Sequence, residues 1–514
     1  MFFLNFHDLH TRKNMKTIFL KTAVIFTLLI LFSSCASHNN AQVFQITREK
    51  SCEEYRSLTR LQINTSLDLD IYRLQESVES GLVYREKSLH MLSQANKEFL
   101  QDEKPVSPAT LNQLNATIQE HVTIIKPMLK VLSENKCWIR DGQYTNNSKI
   151  ELKGKVLFFA TLMYLYDDYS SILSIVNENE KFRRYVNKGD KGYDRNDYLL
   201  ETLTNRFLDE DLTNTVINLN NYYSKNKKKI KNYAKKDENF NYLTKIIENS
   251  KSYKVVLNLN KNTLSSSRSN MQGHKNSDLL YEIRNDSINS ISETFSNAVG
   301  SYEERKGLLY EDENVHKDLI NKLKIGDILL EKTPFRLTDS MIPGHWGHAA
   351  IWIGTKEELI ELGLWNHPLI KPYHKQIQEH KLVAESLRTG TTLSSLSHFM
   401  NVDDVAILRE KKSHTKKEIE EIILLTLRQI GKEYDFNFDV ETTDKIVCSQ
   451  LVYISYSHID WPTESVVGRY TISPDNIAIK TLDNGAFKLV VFYHEGKLVK
   501  RNPLKSMQKL MHIK

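Results

Sequence analysis

Cysteine is scarce in this chain, with four in 514 residues, at positions 35, 52, 137 and 448. That scarcity excludes a disulfide-stapled scaffold, which needs many crosslinks in a short sequence. No Cys-x-x-Cys pair marks a metal centre, so the expectation is no metal and no cofactor. An excess of charge of one sign is missing too. Lysine and arginine number 70 against 64 acidic residues, a formal net charge of +6. Over this length that excess does not argue for nucleic acid, although a mildly basic protein suits an anionic envelope or wall polymer. The longest apolar run falls short of the roughly 20 residues that span a bilayer. No fixed-period repeat is found, and no wall-binding repeat. What is present, 40% hydrophobic and 26% charged residues, is the composition of a globular protein able to bury cores. The length predicts two or three domains.

Residues 15–35 read as a targeting segment. Lys16 and Lys21 give a positive start, Thr22 to Phe32 an apolar stretch, and Ser33-Ser34-Cys35 a small-residue end. A cysteine after two small residues resembles a bacterial lipobox, in which Cys35 is lipidated and becomes the mature N-terminus. Phe32 stands where the usual pattern has Leu. Translation beginning at Met15 fits the lack of signal character in residues 1–14. The expected location is the cell envelope, as a lipoprotein facing the periplasm or outer membrane, with the membrane as a partner through the anchor. Export makes a Cys52–Cys137 disulfide the expected pairing, contributing roughly 4–5 kcal/mol by loop closure. Cys448 is then left over, as a reactive thiol would be.

From about 45 to 315 the periodicity is helical. Leu67, Ile71, Leu74, Val78 and Leu82 share one face, as do Leu111, Leu114, Ile118, Val122, Ile125 and Leu129. The second set follows Ser107 as N-cap and Pro108 at the first helical position, and Pro127 should bend or end that helix. Val156 to Val176 reads as a central bundle helix. The lysines around 225–236 read as a solvated face, and residues 260–278 as a long polar loop or linker. The region as a whole predicts a helical bundle or array at 36–315, after the signal segment 1–35.

The remaining part, 316–514, carries the chemistry. In Lys445-Ile446-Val447-Cys448-Ser449-Gln450-Leu451-Val452 a cysteine opens an apolar helical run. Unsatisfied N–H groups at a helix start favour thiolate over thiol. A nucleophile also needs a base. Gly347-His348-Ala349-Ala350-Ile351 predicts a buried strand with a histidine at its entry, and His345 is the competing base. Ala384-Glu385 lies in another short strand. Gly326-Asp327 predicts a turn into a first strand, with Asp327 as a turn or cap residue. Residues 359–364, 405–408 and 487–493 predict further strands. Thr415-x-x-Glu418 is a capping box for a helix stopped by Gly431.

The order His348, Glu385, Cys448 resembles the circularly permuted, NlpC-type branch of the papain-like cysteine hydrolases, the YiiX/YaeF-like group. The matching pieces are Ile325-Gly326-Asp327-Ile328-Leu329, His348-Ala349-Ala350-Ile351, Ala384-Glu385, Gly431-Lys432-Glu433-Tyr434-Asp435, Cys448-Ser449-x-Leu451-Val452 and Ile472-Ser473-Pro474-Asp475. They cover roughly 320–495. Gln450 departs from the familiar Glu. The resemblance implies an α+β fold, with the helical region followed by a permuted papain-like domain whose small antiparallel sheet is packed with helices. It implies Cys448 as nucleophile, His348 as base and Glu385 as orienter. Tyr434, Ser449 and Gln450 are the candidates for substrate or oxyanion contacts. The expected activity is amide cleavage in cell-wall peptide or a related compound. A lipid acyl-ester hydrolase or acyltransferase, and a binding protein that retains the fold, are the alternatives.

Overall fold

The computed structural model describes residues 52–101, 103–139, 147–176, 179–207, 209–256, 305–335, 344–435, 438–466, 469–482 and 484–512. The expected signal segment, Cys35, the side chain of Cys52 and the 260–278 stretch lie outside them. Among the described residues no helix is long and apolar enough to cross a membrane.

Two hydrophobic cores form and do not merge, one drawn from Tyr55 to Tyr253 and the other from Leu309 to Met511. The first is all helix. Helix Arg60–Phe99 begins at Thr59, whose side chain accepts from the Gln62 N–H while Gln62 caps the Thr59 N–H in return. It buries Leu67, Ile71, Leu74 and Val78 along one face, against helix Pro108–Glu134 and the central helix Ser148–Val176. Ser107 caps the Thr110 N–H at 3.2 Å, with Pro108 opening the helix. Of the two outcomes expected at Pro127, a bend or an end, the helix does not end there. Ile118, Ile125, Met128 and Val131 are buried on both sides of the proline, and packing of that apolar face carries the helix past its missing N–H. Helices Glu210–Ala234 and Glu238–Asn249 complete the bundle. Lys227, Lys228 and Lys229 point to solvent, while Tyr223 is buried. Cys137 is disulfide-bonded.

The second core surrounds a seven-stranded antiparallel sheet. In chain order its strands are β1 (Ile328–Lys332), β2 (His348–Trp352), β3 (Lys381–Leu387), β4 (Gly390–Ser395) and β5 (Asp404–Glu410). After two short pairs come the last two. The pairs are β6 (Glu433–Tyr434) with β7 (Lys445–Ile446), and β8 (Glu464–Val466) with β9 (Arg469–Thr471). The sheet closes with β10 (Phe487–His494) and β11 (Lys497–Leu498). The spatial order is β11-β10-β5-β1-β2-β3-β4. β2 is buried throughout and β1 nearly so, as suits strands in the middle of the sheet. Helix Cys448–Ser455 packs on β2 and β3, with helix Lys416–Arg428 behind it. One strand expectation fails. Residues 356–361 form a helix, since Thr355 and Glu358 make a reciprocal capping box, with hydrogen bonds of 3.2 and 2.7 Å.

The helical bundle docks directly behind the cysteine helix. Tyr453 donates its hydroxyl to the Val106 carbonyl at 3.2 Å, and Asn112 Nδ2 donates to the Ile454 carbonyl at 3.0 Å. Lys181 pairs with Glu441 at 2.6 Å. Lys432 and Asp190, both sealed from solvent, form an ion pair at 2.8 Å. Gly192 lets the two backbones meet: a Cβ there would strike the Arg428 carbonyl, and Arg428 donates to the Gly192 carbonyl at 2.7 Å.

Candidate active site

Three separate elements deliver the candidate side chains to one end of the sheet. His348 opens β2 opposite Glu331 of β1. Its entry is fixed by Asp475 at the start of helix Pro474–Ala478. The Asp475 carboxylate accepts the His345 N–H at 3.0–3.1 Å and the Trp346 N–H at 2.7 Å. Gly344 just before them has φ +102°, and a Cβ there would run into that same carboxylate. Only glycine suits both demands. Glu385 stands in β3, paired with Ala350 of β2, so it faces the same side as His348.

Cys448 is the first residue of its helix, and the strand-like segment before it is anchored twice. Ser386 donates its hydroxyl to the Ile446 carbonyl at 2.9 Å, and Gln450 Oε1 accepts the Val447 N–H at 3.2 Å. Ser386 was not singled out by sequence reasoning. It follows Glu385 directly, and a hydroxyl in a buried strand was the available signal.

The electrostatics of the cluster are mutual. Burial of Cys448 would raise its pKa, but the charge and hydrogen bond of His348, with backbone N–H groups of Ala349 and Ser449, outweigh it and lower the pKa below the thiol's ordinary value. Burial would likewise make His348 less basic. The thiolate and the Glu385 carboxylate outweigh that and hold its pKa well above the usual imidazole range. His348 Nε2 lies 3.0 Å from Glu385 Oε2, which leaves Nδ1 for the sulfur. Burial pushes the Glu385 pKa up, and His348 more than reverses this. The favoured state is therefore thiolate beside imidazolium beside carboxylate.

The other sequence candidates divide. Tyr434, half-buried, has its hydroxyl pKa pushed well up, first by burial and then by the charge of Cys448, so it stands near the sulfur as a neutral phenol. Ser449 and Gln450 are buried with their side chains engaged elsewhere. Ser449 Oγ donates to the Ile472 carbonyl at 2.6 Å, and Gln450 Nε2 donates to the Val440 and Thr442 carbonyls. They hold the loop and the helix start together. Asp327 accepts the Lys324 N–H at 2.8 Å and pairs with Arg409 at 2.6 Å, a turn role. His345, the competing base, is directed to Asp404 at 3.0 Å rather than to the cysteine.

Residues 322–504 match the family model described as permuted papain-like amidase enzyme, YaeF/YiiX, C92 family. No curated protein and no solved structure matches the chain. The matched segment contains Cys448, His348 and Glu385 and leaves the helical bundle outside it. The C-terminal region is thus similar to the permuted papain-like amidases, and its antiparallel sheet packed with helices fits that fold.

Proposed function

We propose that this protein is an exported, lipid-anchored cysteine amidase that cleaves an amide bond in cell-wall peptide or a related envelope compound. The observation that carries the reading is the line of contacts from Glu385 through His348 to Cys448. In this mechanism the Cys448 thiolate attacks the scissile carbonyl carbon, forming a C–S bond. His348 passes its Nδ1 proton to the leaving amine as the C–N bond breaks. Glu385 keeps the imidazole in the tautomer that presents Nδ1 to the sulfur. Water then attacks the thioester, giving up a proton to His348, and the acid departs as the thiol reforms. The N–H of Cys448 at the helix start is a candidate oxyanion donor, a role worth a few kcal/mol in such sites, and Tyr434 stands near the sulfur. The disulfide at Cys137 supports an oxidising compartment, in keeping with the lipobox-like end at Cys35.

The test incubates the full chain and a Cys448→Ala variant with muropeptides and, separately, with acyl lipids, followed by mass spectrometry. Cleavage of an amide by the wild type alone supports the proposal. Cleavage of acyl esters instead assigns the same site to lipids. Equal turnover by the variant sinks the thiol mechanism, and no turnover of either class points to a binding protein.

A further inference from the structure

A second cluster lies at the same end of the sheet and takes no part in the proposed chemistry. Across one rung stand His348 of β2, Glu331 of β1, Val405 of β5 and Tyr493 of β10. One residue beyond that rung, Asp404 and His494 face each other, and His345 comes in from the segment that leads into β2. Asp404 Oδ2 is 3.0 Å from His345 Nε2 and 2.8 Å from His494 Nδ1. Among the described residues these are the three whose ligand atoms converge, all within 4.8 Å of one another. Asp404 is 2% exposed, and the side chains of His345 and His494 are 10% and 32% exposed. The cluster is therefore closed on two sides and open past His494.

Hydrogen bonding alone leaves this cluster incomplete. Asp404 Oδ1 accepts the Glu495 N–H at 2.7 Å, and Oδ2 is in hydrogen-bonding contact with His494. His345 Nε2, 3.0 Å from Oδ2, is off the line of a well-formed hydrogen bond and has no other partner among the described residues. A buried imidazole nitrogen poorly aligned with a carboxylate oxygen that a second imidazole already engages leaves a place that a shared cation would fill. The spacing suits one. Metal–ligand bonds of about 2.0–2.2 Å to imidazole and carboxylate put neighbouring ligand atoms about 3.0–3.6 Å apart, so the three side chains need move outward by no more than a few tenths of an ångström. Two imidazoles and one carboxylate suit zinc or a neighbouring first-row divalent ion, with at least one position left for water. The Glu495 N–H on Oδ1 and the Asp475 grip on the His345 N–H would hold two of the ligands in place.

We infer that His345, Asp404 and His494 bind a divalent transition metal of the zinc class. The ion ties the lead-in of β2 to the ends of β5 and β10 and so fixes the strand that carries His348. The site shares no residue with the Cys448 cluster and stands whatever the substrate is.

The test uses the full chain without a histidine tag, stripped with chelator and dialysed against micromolar Zn2+, with metal content measured by mass spectrometry. Co2+ serves as a second probe, through its visible absorption. One equivalent is expected in the wild type and in Cys448→Ser. His494→Ala, at the most exposed of the three positions, is expected to weaken binding by about tenfold or more while keeping its far-UV circular dichroism, and His345→Ala to do the same. Zn2+ should raise the Tm of the wild type and leave that of His494→Ala unchanged. Retention of no ion by the wild type overturns the inference. So does binding lost in Cys448→Ser and kept in His494→Ala, which would place the metal on the thiol.

Discussion

At the scale of single residues, the decisive quantity is where protons sit among Cys448, His348 and Glu385. The thiol pKa is held below its ordinary 9.0 and the imidazole pKa above its ordinary 6.5, and both shifts favour the thiolate–imidazolium pair. Activity should follow a bell. Its acid limb is set by protonation of the thiolate and falls below pH 9.0; its alkaline limb is set by loss of the imidazolium proton and falls above pH 6.5. Both limbs belong to the coupled pair, not to either residue alone. Glu385→Gln keeps the shape but loses the charge that orients and stabilises imidazolium. A fall in kcat of about 10²–10⁴-fold is expected, with the alkaline limb moved to lower pH. A pH–rate profile on the cleaved substrate checks both, and an unmoved alkaline limb would remove Glu385 from the pair. Residue type, order and context already singled out these three residues as candidates. Their proton arrangement was not, because it depends on the Ala349 and Ser449 N–H groups that only the fold brings to the sulfur.

At the scale of elements, the site depends on how the lead-in to β2 and the loop before the cysteine helix are held. Replacing Gly344 with Ala asks an L-residue to adopt φ +102° and pushes on Asp475. Backbone strain of about 1–3 kcal/mol is expected. With the His345 and Trp346 N–H groups released, kcat should fall about tenfold or more, out of proportion to the change in Tm. Thermal unfolding and kinetics on one preparation separate the two effects. The loop before the helix carries Asp439, whose pKa is pushed up to about 7 by burial and by the neighbouring Glu441. The folded state thus prefers the protonated acid. That preference is fully present below the ordinary 3.8 and is lost as pH rises through about 7. Asp439→Asn keeps an oxygen for the Glu441 N–H, now 3.1 Å from Asp439 Oδ1. Its Tm relative to wild type should therefore climb between pH 4 and about 8, and a flat difference would discard the argument. Elements with strong end signals were readable in advance, as at Ser107-Pro108 and Thr415-x-x-Glu418. Residues 359–364 were misread as a strand because apolar spacing alone does not separate a short helix from a buried strand. The capping box at Thr355 and Glu358 was the missed cue.

At the scale of the whole molecule, the two cores meet across several contacts, and one of them is an ion pair sealed from solvent. Lys432 belongs to the segment that resembles the papain-like group, yet its ammonium meets Asp190 of the helical bundle at 2.8 Å and donates to the Thr443 carbonyl at 2.6 Å. Asp190 in turn accepts from Asn115 Nδ2 at 3.1 Å and from the Gly192 N–H at 2.9 Å. No local signal in the sequence could join positions so far apart, since each end alone reads as an ordinary surface charge. Burial lowers the Lys432 pKa and Asp190 opposes it without fully restoring it, so the pair is held by mutual need. Asp190→Asn leaves an ammonium sealed away from water. A loss of about 3–5 kcal/mol is expected, and a single unfolding transition should divide into one for the bundle and one for the sheet domain. The consequence reaches the chemistry, because Lys432 begins the stretch that runs through Tyr434 and β7 to Cys448. The rate of Cys448 alkylation by iodoacetamide, followed against pH in wild type and Asp190→Asn, measures that coupling directly. If the bundle only tethers the sheet domain, the two pH profiles will superimpose. If it braces the nucleophile, the variant's thiol will titrate closer to the ordinary 9.0, and the helical region becomes a working part of the site.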